Sequence, residues 1–107
     1  MQKRIYLLST LLPTLGFLFV TPAFSAEADL AKAEKVYKRS CATCHGKQGE
    51  KPAMGESKII NQLKPEEIST ALSERKAGNI PSAGSPAKQR LSEQDIHNLS
   101  EYIQTLK

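Results

Sequence analysis

The chain has 107 residues, with 15 Lys and Arg against 11 Asp and Glu, two His, two Cys and a formal net charge of +4 at pH 7. That length supports one small domain. Two cysteines exclude a disulfide-rich framework, and so slight an excess of positive charge argues against a dedicated nucleic-acid partner.

Residues 1–25 read as a secretory signal. Lys3 and Arg4 give the positive start, Ile5 to Val20 is apolar but broken by Pro13 and Gly16, and Ala23-Phe24-Ser25 places small residues around a cleavage point after Ser25. A retained segment of this length could just cross a bilayer. Pro13, Gly16 and the small-residue exit favour removal instead, so no stable membrane insertion is expected. No cysteine near the exit offers a lipid anchor. The domain that remains, residues 26–107, has 82 residues with 13 basic and 11 acidic side chains, a net charge of +2. Its own apolar core would be marginal.

Leu30, Ala33, Val36 and Tyr37 recur at helical spacing among charged residues and predict a first helix that ends near Cys41. There the chain reads Cys41-Ala42-Thr43-Cys44-His45. Two thiols at this spacing match the two vinyl groups of a haem, and the imidazole that follows can bond its iron from one side. Cys41 and Cys44 are therefore the candidate covalent haem-binding residues, and His45 the candidate proximal axial ligand, for one haem c. A thioredoxin-like redox pair would need a βαβ context, and no alternating strand pattern precedes Cys41. A zinc site would have only Cys41, Cys44, His45 and the distant His97 to draw on. A Cys41–Cys44 disulfide would leave His45 unexplained and close a loop too small to stabilise a domain much. A buried haem would also supply the core that the short chain lacks.

Gly46 to Ser57, with Gly49, Pro52 and Gly55, reads as a loop. Pro65 suits a first helical position, Glu66 and Glu67 suit a first turn, and a second helix runs from there through Ile68 and Leu72 to Gly78. Gly78 to Arg90 carries two prolines and a single large apolar residue, Ile80, and reads as a second loop. The final helix has Ser92 as N-cap, with Leu91 and Ile96 as a hydrophobic staple. Asp95 stands at the capping-box position usually held by Glu or Gln, an imperfect match. Ile96, Leu99, Ile103 and Leu106 then draw one buried stripe with Tyr102 beside it. No segment reads as a strand.

Helices flanking one C-x-x-C-H near the start of the mature domain resemble a small bacterial class I cytochrome c. The likeness covers nearly all of the mature chain. It rests on the specific run Tyr37-Lys38-Arg39-Ser40-Cys41-Ala42-Thr43-Cys44-His45-Gly46 and on the weaker signature Leu91-Ser92-Glu93-Gln94-Asp95-Ile96 with Leu99, Tyr102 and Ile103. It implies an all-α fold, three main helices packed around one covalently bound haem, in an exported, soluble, monomeric periplasmic protein. It also implies that the first and last helices cross at a small residue against an aromatic one, here Ala33 and Tyr102. The His45 Nδ1 hydrogen would be held by a backbone carbonyl of the following loop, with Pro52 a candidate.

The departure is on the other side of the iron. The family supplies a methionine about seven residues before the Leu-Ser that opens the last helix, and this chain has Gly84 there, in Ala83-Gly84-Ser85-Pro86. Met54, the one methionine of the mature domain, follows His45 by nine residues, a tether too short for the opposite haem face, and reads as packing. His97 lies about 140° from the centre of the buried stripe and reads as solvent-facing. Lys88 sits near the gap. These three are the weak distal candidates, and an open or weakly occupied sixth site is expected.

The resemblance implies single-electron transfer with membrane or periplasmic redox proteins, with no catalytic residue. The alternative is an open-site haem protein that binds or senses NO or CO. A peroxidase-like enzyme would want a distal acid–base group, for which Gly78 to Arg90 offers only Lys88 and Arg90.

Overall fold

The computed structural model describes residues 13, 15–18, 27–55 and 57–107. Most of the predicted signal, including its cleavage point after Ser25, lies outside the described residues. Among the described residues five helices follow one another: α1 (Leu30–Ser40), α2 (Ala42–His45), α3 (Pro65–Lys76), α4 (Ser85–Gln89) and α5 (Glu93–Gln104), with single 3-10 turns at Ala53–Gly55 and Ile60–Gln62. Among the described residues there is no strand, and no helix is long and apolar enough to cross a membrane. The three main helices expected from the sequence are α1, α3 and α5.

Each main helix starts and stops for a local reason. The Asp29 carboxylate caps α1 by accepting from Lys32 N at 3.0 Å. In α3, Pro65 occupies the first turn with Glu66 and Glu67, Arg75 and Lys76 fill the last, and Gly78 follows at φ 82°, a conformation that glycine adopts without strain. The Ser92 hydroxyl accepts from Asp95 N, and the Asp95 carboxylate accepts from Ser92 N, both at 3.0 Å. The capping box is thus complete with the shorter aspartate, which also reaches Lys32 of α1 at 3.2 Å.

The predicted loop between Gly78 and Arg90 contains the extra helix α4. The Ser85 hydroxyl accepts from Ser82 N at 2.7 Å, Pro86 falls in the first turn, where its missing N–H costs nothing, and Ala87, Lys88 and Gln89 are good helix formers. Gly and Pro in one stretch hid a single helical turn.

Helices α1 and α3 both pack on α5. The core consists of Ala33, Val36 and Tyr37 from α1, Ile68 from α3, Leu91, and Ile96, Leu99 and Ile103 from α5, with Tyr102 and Leu106 partly buried against it. Ala33 is completely buried, as a close helix approach needs, and the Tyr102 ring lies tilted on Tyr37 with centroids 5.6 Å apart. Two polar residues also sit inside. The Ser100 hydroxyl donates to the Ile96 carbonyl one turn back. Asn98 Oδ1 accepts from Asp29 N at 2.9 Å and from Gln94 Nε2 at 2.8 Å, so α5 holds the residue that caps α1.

Asn98→Ala removes that tie and leaves the Asp29 amide without its acceptor. We expect the protein to lose about 1–3 kcal/mol in denaturant unfolding. An unchanged midpoint would show that the tie contributes nothing.

Candidate haem site

The C-x-x-C-H run is folded by the end of α1. Cys41 N donates to the Tyr37 carbonyl at 2.9 Å, the Cys41 carbonyl accepts from His45 N at 3.0 Å, and Gly46 N donates to the Ala42 carbonyl at 2.8 Å. One turn of helix, α2, therefore spans the motif. It is pinned from below by the Tyr37 hydroxyl, which donates to the Gly46 carbonyl at 2.7 Å inside the core. Gly46 itself has φ 83°, and a Cβ there would run into the Glu50 carboxylate. Only glycine fits the chain's exit from the motif.

Cys41, Cys44 and His45 all face one cleft of about 720 Å³, a volume typical of small-molecule and cofactor sites. Ile68 and Leu72 of α3, Leu99 and Ile103 of α5, and Ile60, Leu63 and Leu91 give it apolar walls. The segment from Ile80 to Gly84, with Ala87 and Lys88 of α4, lines it as well. Lys58, Arg75 and Lys88 are the basic lining residues and Glu67 the acidic one.

Both thiols are free, Cys41 half-buried and Cys44 exposed. Burial pushes the Cys41 thiol up, with the neighbouring Cys44 adding to the effect against Lys88, so it stays protonated. Burial first, then Lys88 and Arg75, lowers the His45 imidazolium, which leaves the ring in the neutral form that a metal needs. Among the described residues the buried His45 Nδ1 has no hydrogen-bond partner. The Pro52 carbonyl expected to hold it accepts from Gly55 N at 3.0 Å instead, because the chain turns tightly at Ala53–Gly55. Burial, followed by repulsion from Arg75, lowers the Lys88 ammonium, with Cys41 and Cys44 pulling the other way. A neutral imidazole, two thiols, apolar walls and an excess of basic side chains fit a flat apolar macrocycle that carries a metal and carboxylates. Among the described residues no group of three or more His, Cys, Asp or Glu could hold a bare metal ion, so the zinc reading has no ligand set.

The three distal candidates are placed differently. His97 is exposed on α5 and does not line the cleft. Met54 borders the cleft with 79% of its surface exposed, so it packs into no core, and its turn lies against α2, the element that carries His45. It also has φ 55°, rare for a residue with a side chain. Lys88 is half-buried in the cleft, and a Cβ built on Gly84 would lie 2.7 Å from its Nζ. Sequence reasoning missed the Tyr37 hydroxyl and Arg75. Tyr37 precedes Cys41 by four residues and so shares its helix face, the signal that could have found it.

Fold and site together define a helical haem-binding protein. A family model described as cytochrome c oxidase, cbb3-type, subunit III matches residues 28–103. Cytochrome c-553 of Helicobacter pylori strain 26695 is 43% identical over 84 residues, covering 77% of this chain and 86% of the relative. Its counterpart from strain J99 is 41% identical over 80 residues, covering 73% and 82%. Cytochrome c-554(547) of Halothiobacillus neapolitanus is 35% identical over 91 residues, covering 74% and 98%. The chain belongs to the small class I c-type cytochromes, and its function is electron transfer.

The fully buried Tyr37 phenol is pushed up to about 12 from 10.0, chiefly by burial and then by Cys41. The unfolded chain therefore gives up this proton first. Stability from the neutral phenol is complete below pH 10 and is lost as pH rises towards about 12. Tyr37→Phe should make the haem-loaded protein less stable at neutral pH by about 1–3 kcal/mol. It should also flatten the alkaline loss of stability by about 2–3 kcal/mol. Matched denaturant titrations at neutral and alkaline pH check both, and parallel curves for the two proteins would refute the assignment.

Proposed function

We propose that one haem c is held covalently by Cys41 and Cys44 and ligated by His45, and that the exported protein carries single electrons in the periplasm. The observation that carries this reading is the placement of both free thiols and a neutral imidazole on one apolar cleft. When bound, the haem supplies a one-electron iron couple. The apolar walls from α3 and α5 would keep water from most of it. Exposed Cys44 lies at the outer edge of the site, where a covalently held ring would be near enough to solvent for electron exchange without a substrate pocket. Lys58 and Arg75 are cationic groups suited to the haem carboxylates.

Relatives named as cytochromes c-553 and c-554 support a carrier that uses no catalytic residue. The partners are membrane or periplasmic redox proteins met one electron at a time. With a net charge of only +2 after signal removal, a monomer would dock transiently. Residues 1–25 are the signal that brings the chain to the compartment where haem is attached.

Mass spectrometry of periplasmic protein under denaturing conditions should show residues 26–107 plus one haem, and Cys41→Ala/Cys44→Ala protein should lose the added mass. A chain at its bare polypeptide mass would sink the reading.

Gly84 offers the iron no donor atom, so the ferric protein should lack the near-infrared sulfur-to-iron charge-transfer band. Gly84→Met should create that band and raise the reduction potential. Its Cβ meets only the far end of the flexible Lys88 side chain, which can swing away. A strong band in the unmodified protein, lost on Met54→Leu, would show that Met54 reaches the iron.

A further inference from the structure

Gly84 is the N-cap residue of α4, and Lys88 lies four residues on, one helical turn away. Helical side chains lean towards the N-terminus, so the Lys88 stem folds back over Gly84. Its Nζ fills the space that any side chain at position 84 would enter, 2.7 Å from where a Cβ would stand. Among the described residues no carboxylate and no hydrogen-bond acceptor pairs with this half-buried amine. It faces the cleft that holds Cys41, Cys44 and His45.

We propose that the Lys88 amine is the sixth ligand of the haem iron, standing where Gly84 leaves no donor. The inference rests on the haem assignment above. No other nitrogen or sulfur in the cleft serves as well. The Arg75 guanidinium has no lone pair to give a metal. Lys58 is exposed, Met54 sits on the turn packed against the His45 helix, and His97 is outside the cleft. On ligation the ammonium proton passes to solvent and the nitrogen lone pair bonds the iron. No oxidant or reductant is consumed. The expected open site is in this view filled, by a nitrogen that an incoming diatomic ligand must displace.

The test uses haem-loaded wild-type, Lys88→Ala and Lys88→Arg proteins, each first confirmed by mass to carry haem. Ferric wild type should be low-spin by electron paramagnetic resonance, with no sulfur-to-iron band. Protein grown on lysine labelled with heavy nitrogen should show a changed hyperfine coupling at the iron, a measurement that needs no variant. Both variants should lose the low-spin signal, since arginine keeps the charge but cannot ligate. If the amine occupies the iron about nine-tenths of the time, removing it should tighten apparent CO binding to the ferrous form about tenfold.

A high-spin wild type, a sulfur-to-iron band, an unchanged hyperfine coupling or a low-spin Lys88→Arg protein would each overturn the ligation and leave the haem assignment standing. Low spin lost in Lys88→Ala but kept in Lys88→Arg would reduce Lys88 to a counter-ion for the haem carboxylates. Wild-type protein without haem would overturn both readings.

Discussion

The cleft between α3, α5 and the C-x-x-C-H turn governs the rest of the structure. A chain of 107 residues buries too little apolar surface to offset its chain entropy comfortably. Here the apolar side chains that would meet in the middle of a larger core, among them Ile68, Leu72, Leu99 and Ile103, point into about 720 Å³ of cleft. Helices α1 and α3 reach each other mainly through α5. The cleft at the centre of this domain is therefore a cofactor's place.

The polar interior serves the same end. Tyr37 and Asn98 are among the largest fully buried side chains, and each ends in a hydrogen bond that fixes a helix end: Asn98 at the Asp29 cap of α1 and Tyr37 at the Gly46 carbonyl that closes α2. A purely apolar pair would pack as well but would leave the direction of the chain through Cys41 to His45 to chance. The two thiols and the imidazole then stand on a rigid turn, which is the condition for bonding a stiff ring at three points.

What the sequence made legible follows from range. Cys41, Cys44 and His45 are neighbours in the chain, so their spacing alone predicts that they face one site, and all three line the same cleft. The three main helices were legible through Ala33 and Tyr37, through Pro65 with its acidic turn, and through Ser92 with the Ile96, Leu99 and Ile103 stripe. The Asn98 tie was not, because a polar residue in a helical pattern carries no sign of facing inwards, and its partner lies 69 residues away. The Pro52 expectation failed for a local reason: that carbonyl closes its own turn onto Gly55.

The distal side was hidden by the same logic. Gly84 reads in the sequence as a missing donor, and the stretch around it as a loop. Only when α4 forms does Lys88 come round, one turn later, into the space that Gly84 leaves. The absent side chain and the lysine are then a single structural feature. A larger residue at position 84 would displace the ammonium from that spot, and a lysine at 88 needs the glycine to lie back over the cleft. A change at one of these positions should therefore depend on the other, which makes the pair, rather than either residue alone, the unit that shapes this end of the cleft.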